Sequence, residues 1–315
     1  MLKGLALTPP VIGRISIGRI VEKNGRRMPE QDEGFTITSQ VQTWEGWEIH
    51  PADQALRKDP GEKLRRIPVR LLFDDPDLSL RANYTMFEKA TGRPLCVGDG
   101  DTCKRVSPKG MQSLPCPGPQ ACAVGVAGHC KPYARMHVRI DAKESGLDEL
   151  SSFVFRTTGF NSIRTLSARL RYFHAASGGL LAALPMELKL EGKSTKLSHG
   201  TPIYYVDLTL RDGTGLAQAV ANARKEREQR TALGLDQSAL DEAARQGLAL
   251  GEFEESAEEG LAVVEEFYPE GDEPEGMNPS QPPPARPAPQ LAGKLRRKLE
   301  DAGLAAEQNQ RRNHG

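Results

Sequence analysis

The sequence predicts an α+β fold: mostly antiparallel strands with a Cys-rich zinc-binding insertion and a few helices, followed by a disordered C-terminal tail. Three observations predict it. Period-two alternation of apolar and polar residues recurs in short stretches between positions 11 and 210, a single long stretch near 160 switches to spacings of three and four, and all five cysteines fall between 96 and 130.

The first half reads as strands at 11–21, 35–41, 67–73 and 82–87. Turn-forming breaks separate them, at Asn24-Gly25, Asp53, Asp59-Pro60-Gly61 and Asp74-Asp75-Pro76-Asp77. The last of these looks like a metal site only superficially, since Asp-Pro-Asp after a strand makes a turn. Residues 1–95 are thus a β-rich N-terminal part, and strands resume at 133–140 and 152–156.

A helix follows, with Phe160, Ile163, Leu166, Leu170 and Phe173 on one face, Thr158 or Asn161 as its cap and Gly178-Gly179 as its stop. Arg164, Arg169 and Arg171 lie opposite that stripe, and Arg156 lies just upstream. Arginine forks in such a row pair with phosphates or carboxylates, although the same pattern describes an ordinary solvated face. Strands at 184–190 and 203–210 and helices at 215–229 and 238–250 complete the body over 133–250.

The cysteines read Cys-x6-Cys-x12-Cys-x5-Cys-x7-Cys, and the other 280 residues contain none. The N-terminus lacks the apolar core of a secretory signal, and no stretch approaches the ~18 apolar residues of a membrane span. A cytoplasmic, reducing setting is expected, in which clustered thiols bind zinc more often than they crosslink. Structural zinc takes four ligands in a closed tetrahedron, so five thiols are one too many. Cys96, Cys116, Cys122 and Cys130 are the expected ligands, with Cys103 as the alternate. Free structural thiols and redox or catalytic cysteines are the competing readings. Residues 96–132 are also dense in Gly and Pro, and a metal would supply folding free energy that so little apolar surface cannot.

At 38% hydrophobic and 5% aromatic the chain is lean, and its net charge of zero hides an asymmetry. Residues 251–276 hold eleven acidic and no basic residues, whereas 277–315 hold seven basic and three acidic ones, which leaves an excess of seven positive charges on 1–250. The segment 251–290 reads as an acidic and Pro-rich linker, and 291–315 as a basic tail with room for a short helix around Lys294, Arg296, Arg297 and Lys298. The asymmetry fits contact with nucleic acid or a charged protein, and equally a solvated tail. Stacking platforms for single strands need several exposed aromatics, and only Tyr133, Tyr172, Tyr204 and Tyr205 offer themselves. His-Glu-x-x-His, Gly-x-Ser-x-Gly and Gly-x4-Gly-Lys are all missing, so no enzyme is expected; a hydrolase would have to draw on Asp99, Asp101 and His129 beside a metal.

The stretches PLCVGDGDTC, GHCKPYARMHVRI, FVFRTTGFNSIRTLSARL and KSTKLSHGTPIYYVDLTL together resemble the phage recombination directionality factor-like family over roughly residues 10–211. Its relatives on integrative elements often carry loose labels of hydrolase or metal-binding protein. The resemblance implies a protein that binds a large serine integrase on its DNA sites and switches it from integration to excision without chemistry of its own. It also implies that Cys96, Cys116, Cys122 and Cys130 are metal-site cysteines, and that Arg156, Asn161, Ser162 and Arg164 form a functional surface; with Arg169 and Arg171 from the arginine face of the helix, these are the expected partner or nucleic-acid surface. Cys103 is extra to the simpler family pattern. DNA would then be met through the integrase or weakly and directly. The alternative is a zinc-containing nucleic-acid-binding protein in transfer, replication or repair of a mobile element.

Overall fold

A computed structural model describes residues 10–23, 26–43, 46–57, 59, 61–127, 129–142, 147, 151–194, 202–250, 263–264 and 267–268. The chain divides into a unit of residues 1–272 and a second of 273–315. The expected linker and basic tail lie outside the described residues, except for Val263, Val264, Phe267 and Tyr268. No helix among the described residues is long and apolar enough to cross a membrane.

The fold is α+β, a large mixed sheet with few helices. The N-terminal part supplies β1 (Val11–Lys23), β2 (Arg26–Thr43), β3 (Gly46–Ile49), helix α1 (Pro51–Leu56), β4 (Arg66–Leu71), helix α2 (Pro76–Ser79) and β5 (Leu80–Phe87). The Cys-rich segment forms β6 (Pro94–Gly98), β7 (Thr102–Ser107), β8 (Gly110–Pro115) and a single helical turn, α3 (Ala123–Ala127). Then come β9 (Lys131–Ile140), β10 (Ser152–Thr157), α4 (Phe160–Ser177), β11 (Met186–Lys193), β12 (Ile203–Leu210), α5 (Leu216–Ala232) and α6 (Gln237–Leu250).

Strand β9 is the spine. One edge pairs antiparallel with β10; the other pairs first with β5 over Lys131 to Met136 and then with β4 over Val138 to Ile140. The sheet therefore branches there, one arm running β5-β6-β7-β8 and the other β4-β11-β12, with β10-β1-β2-β3 on the far side. Among the recorded pairings only β1 with β10 is parallel. Because side chains alternate across a strand, Ala134, Met136, Val138 and Ile140 of β9 enter the main core with Phe153 and Phe155 of β10. Helix α4 closes that face with Ile163, Leu166, Leu170 and Phe173, all buried.

Several sequence expectations change. The Cys-rich segment, dense in Gly and Pro, nevertheless folds as three short antiparallel strands: Gly100 and Pro108 fall in the connections, while Gly98, Gly110 and Pro115 are themselves paired. Phe160, placed in the apolar stripe, is 59% exposed, since it sits at the first helical position on the flank of that stripe. Neither Thr158 nor Asn161 caps α4; Gly159 is the N-cap without a side-chain bond, whereas Gly178 does end the helix in the left-handed conformation. The 74–77 cluster, expected as a turn, is a bend at Asp74 and Asp75 that leads into α2, with Asp75 as the N-cap and Pro76 and Asp77 already helical; it also binds the C-terminal helices, since Asp74 pairs with Arg227, Asp75 with Arg245, and Asp241 accepts from the Asp74 and Asp75 amides.

Asp53, expected in a turn, lies in α1 and is buried. Its carboxylate accepts from the Ile37 amide at 2.9 Å and from Arg57 Nε at 2.6 Å, which ties α1 to the middle of β2. Asp53→Ala leaves the buried Ile37 amide without its acceptor and removes the carboxylate from Arg57, which keeps the Phe35 and Glu62 carbonyls, and the expected loss of stability is about 3 kcal/mol. A urea midpoint that falls with an unchanged slope checks this; a loss under ~1 kcal/mol would show that the pair is dispensable.

Candidate functional site: the thiol cluster and the arginine helix

Five thiols dispersed over 35 residues meet because the β5-β6-β7-β8 arm brings alternate residues to one face. Met86 pairs with Cys96, Cys96 with Arg105, Gly98 with Cys103, and Cys103 with Leu114. Met86, Cys96 and Cys103 form a small core, against which Leu114, Cys116 and Cys130 pack. Cys116 follows β8, Cys122 precedes α3 and Cys130 precedes β9, so the last three cysteines come from the chain that folds back over this face. All five are free thiols.

Two glycines make the convergence possible. A Cβ on Gly98 would lie 2.7 Å from Cys103 Cβ and 2.8 Å from Cys116 Sγ, closer than any real contact allows. A Cβ on Gly125 would sit 3.2 Å from Cys122 Cβ and 3.3 Å from Cys130 Cβ. Arg105 stands among the sulfurs, with Nε 3.5 Å from Cys96 and Nη2 3.4 Å from Cys122. Its hydrogen bond to Cys96 is the largest influence holding its guanidinium charged. The thiols differ in consequence. The Gly125 amide and Arg105 lower the pKa of Cys122. Burial, reinforced by neighbouring Cys96, pushes Cys103 up to about 11, and burial pushes Cys130 to about 11 as well.

The donor set suits a thiophilic ion, since thiolates are the ligands zinc and other soft metals select. Among the described residues, however, no three His, Cys, Asp or Glu side chains stand where one ion would be held by all of them. The position between Cys96 and Cys122 is bridged by Arg105, a residue that sequence reading passed over although it alternates with Cys103 along β7. Asp99 accepts from the Asp101 and Thr102 amides and shapes the β6–β7 turn, and these amides hold its carboxyl below the usual range. His129 has a left-handed backbone, φ 52°, and its ring faces Tyr268.

The six expected surface residues separate. Asn161 accepts from Lys193 at 2.8 Å; Ser162 is buried and its hydroxyl accepts from the Val206 amide; Arg169 grips Asp207 through two bonds of 2.8 and 3.1 Å. These three fasten α4 to β11 and β12. Arg156 lies on the sheet face opposite α4, directly across from Arg135, which is in turn across from Arg81. Arg135 and Arg14 are both buried, Arg14 stacking 3.9 Å from the Trp47 ring, while Arg81 and Arg156 are half-buried.

What α4 shows outward is Arg164 and Arg171 with Phe160 and Tyr172, the latter 57% exposed. Arg171 pairs loosely with Asp77 at 3.5 Å and borders a cleft of about 320 Å³ between α2, α4 and the start of β5, lined also by Leu80, Arg81, Asn83 and Ser167. Two arginines and two aromatics on one exposed face have the composition of a protein-binding hot spot. The signal for both aromatics was their position off the apolar stripe in the helical period, although apolar spacing alone counts Phe160 as part of that stripe.

A protein family described as Gp3-like, recombination directionality factor-like, matches residues 12–211. That span takes in both the thiol cluster and α4. No curated protein matches the chain, and no solved structure does.

Gly98→Ala should force Cys103 and Cys116 apart and lower stability by about 1–3 kcal/mol. Thiol titration of the folded variant should then reach Cys103, which is 2% exposed here; unchanged stability and unchanged thiol access would refute the close approach.

Proposed function

The chain belongs to the recombination directionality factor-like family, and on that premise we propose that it is a non-catalytic accessory protein of a mobile genetic element. In this reading it binds a large serine integrase in the cytoplasm and biases site-specific recombination toward excision. The observation that carries the reading is the family match over 12–211, which spans both regions singled out above.

The mechanism is a population shift. A protein that binds one arrangement of integrase on DNA more tightly than another moves the balance by that difference, and ~1.4 kcal/mol is a tenfold preference. Such a partner needs a rigid, exposed surface and no reacting group. Arg164, Arg171, Phe160 and Tyr172 are the proposed contact, because α4 is held at Asn161, Ser162 and Arg169 and so presents them at low entropic cost. DNA is met through the integrase.

A structural zinc is part of the proposal. Cys96, Cys116, Cys122 and Cys130 would hold it, Cys103 being the alternate, and the ion would crosslink a lobe whose own core is only a few residues. Arg105 would offset the charge of the thiolates. Native mass spectrometry should find one zinc per chain in the wild type and a loss of it in Cys122→Ser; five free thiols and no metal would remove zinc from the account.

The functional test is recombination in a defined mixture of the integrase from the same element, DNA with the two hybrid attachment sites, and this protein added or omitted. Excision should appear only on its addition, and Arg164→Glu should weaken it by about tenfold, the effect of losing one interface anchor. If neither excision nor integration responds to the folded protein, the directionality role is sunk.

A further inference from the structure

The acidic run at 251–276 contains one apolar island, AVVEEFYP, and the structure places its described residues on the body. Val263 and Phe267 are 0% and 1% exposed and pack with Phe87 of β5 and Tyr133 of β9. The rings of Phe87, Tyr133 and Phe267 meet edge to face at centroid distances of 5.0, 5.5 and 5.9 Å. The Tyr268 amide donates to the Val264 carbonyl at 2.8 Å.

The seat is built for this ligand in three ways. The β5–β6 register shifts between Met86 and Phe87, and at that irregularity the Phe87 amide donates to the Tyr268 hydroxyl at 3.2 Å while the hydroxyl reaches the Phe87 carbonyl. Lys131 donates to the Phe267 carbonyl at 3.3 Å and lies 5.8 Å from the Tyr268 ring, and Lys89 lies 5.4 Å from it. Finally, the lysines match the net charge of the run, in which Glu265 and Glu266 fall between the two apolar pairs. Apolar floor, backbone hooks and a basic rim are the parts of a peptide-recognition groove.

We propose that this groove is a docking site for a short acidic peptide ending in an aromatic pair, and that Val263, Val264, Phe267 and Tyr268 are its resident occupants in cis. A segment tethered on the same chain is present at an effective concentration of about a millimolar. A tail of this kind therefore blocks competing peptides of the same chemistry until it is displaced. The inference is independent of the integrase reading.

The test uses the full chain and a labelled synthetic peptide of residues 258–272, followed by fluorescence anisotropy. The Phe267→Ala, Tyr268→Ala double variant vacates the groove and should bind the peptide; wild type should bind it at least about tenfold more weakly. Adding Lys131→Glu to the double variant should reduce binding again. No binding to a folded double variant, or equal binding to both proteins, would overturn the proposal. Should the double variant not fold, hydrogen exchange on wild type decides. The Phe87 amide should exchange through local opening, well before Met136 and Val138 of β9, and exchange at one common rate would mean that the segment never leaves. A concentration-dependent wild-type dimer would also overturn it, by showing the occupant to be a second copy's tail.

Discussion

Everything in this fold is referred to β9, a strand hydrogen-bonded on both edges whose outer edge is shared end to end by β5 and β4. Sharing an edge forces the 72–79 connection out of the sheet, where it becomes the Asp-rich turn and α2. It also commits the alternation of β9 in both directions: even residues build the core under α4, and odd residues form the polar face that carries Arg135 and, at the N-terminal end, Lys131 and Tyr133. Cys130 sits immediately before the strand and Asp141 immediately after it. A slip of one residue would exchange the two faces and take the thiol cluster, the aromatic groove and the core with it.

Many of the body's arginines are engaged in internal ion pairs, which leave its net positive excess unchanged but fix where those guanidiniums point. Arg70 and Arg211 both hold Asp141; burial works to raise that carboxyl, but the two guanidiniums bring it below the ordinary range. Arg227 and Arg245 fasten the C-terminal helices to the Asp74 turn, Arg57 holds Asp53, and Arg169 holds Asp207. Partly buried at Asp53, Asp74 and Asp207 and half exposed at Arg169 and Arg245, such pairs add less to stability than their number suggests, but they fix which element lies against which. The arginines left outward on α4 are few, and they stand beside exposed aromatics and a cleft. That arrangement suits recognition of a protein better than a broad electrostatic grip on nucleic acid.

The thiol lobe shows local chemistry overriding sequence spacing. Three thiols belong to connections between elements and two to strands, and their pKa values diverge because burial acts on Cys103 and Cys130 while an amide and a guanidinium act on Cys122. The missing side chains of Gly98 and Gly125 are as necessary to this gathering as the sulfurs are.

Strand positions and the long helix were legible from the sequence because they depend on nearest neighbours: alternation marked β4, β5, β9 and β12, and the left-handed Gly178 marked the end of α4. Family membership was legible too, through stretches of residues that keep their order whatever the fold does with them. The sequence could not show that the Cys-rich segment contributes three strands to the main sheet, that Phe160 lies outside the core, that Arg105 enters the thiol cluster, or that an acidic run hides an aromatic pair bound to β5 and β9. Each of these depends on partners far along the chain, 181 positions apart for Phe87 and Tyr268, and only the closed sheet decides which distant residues share a face.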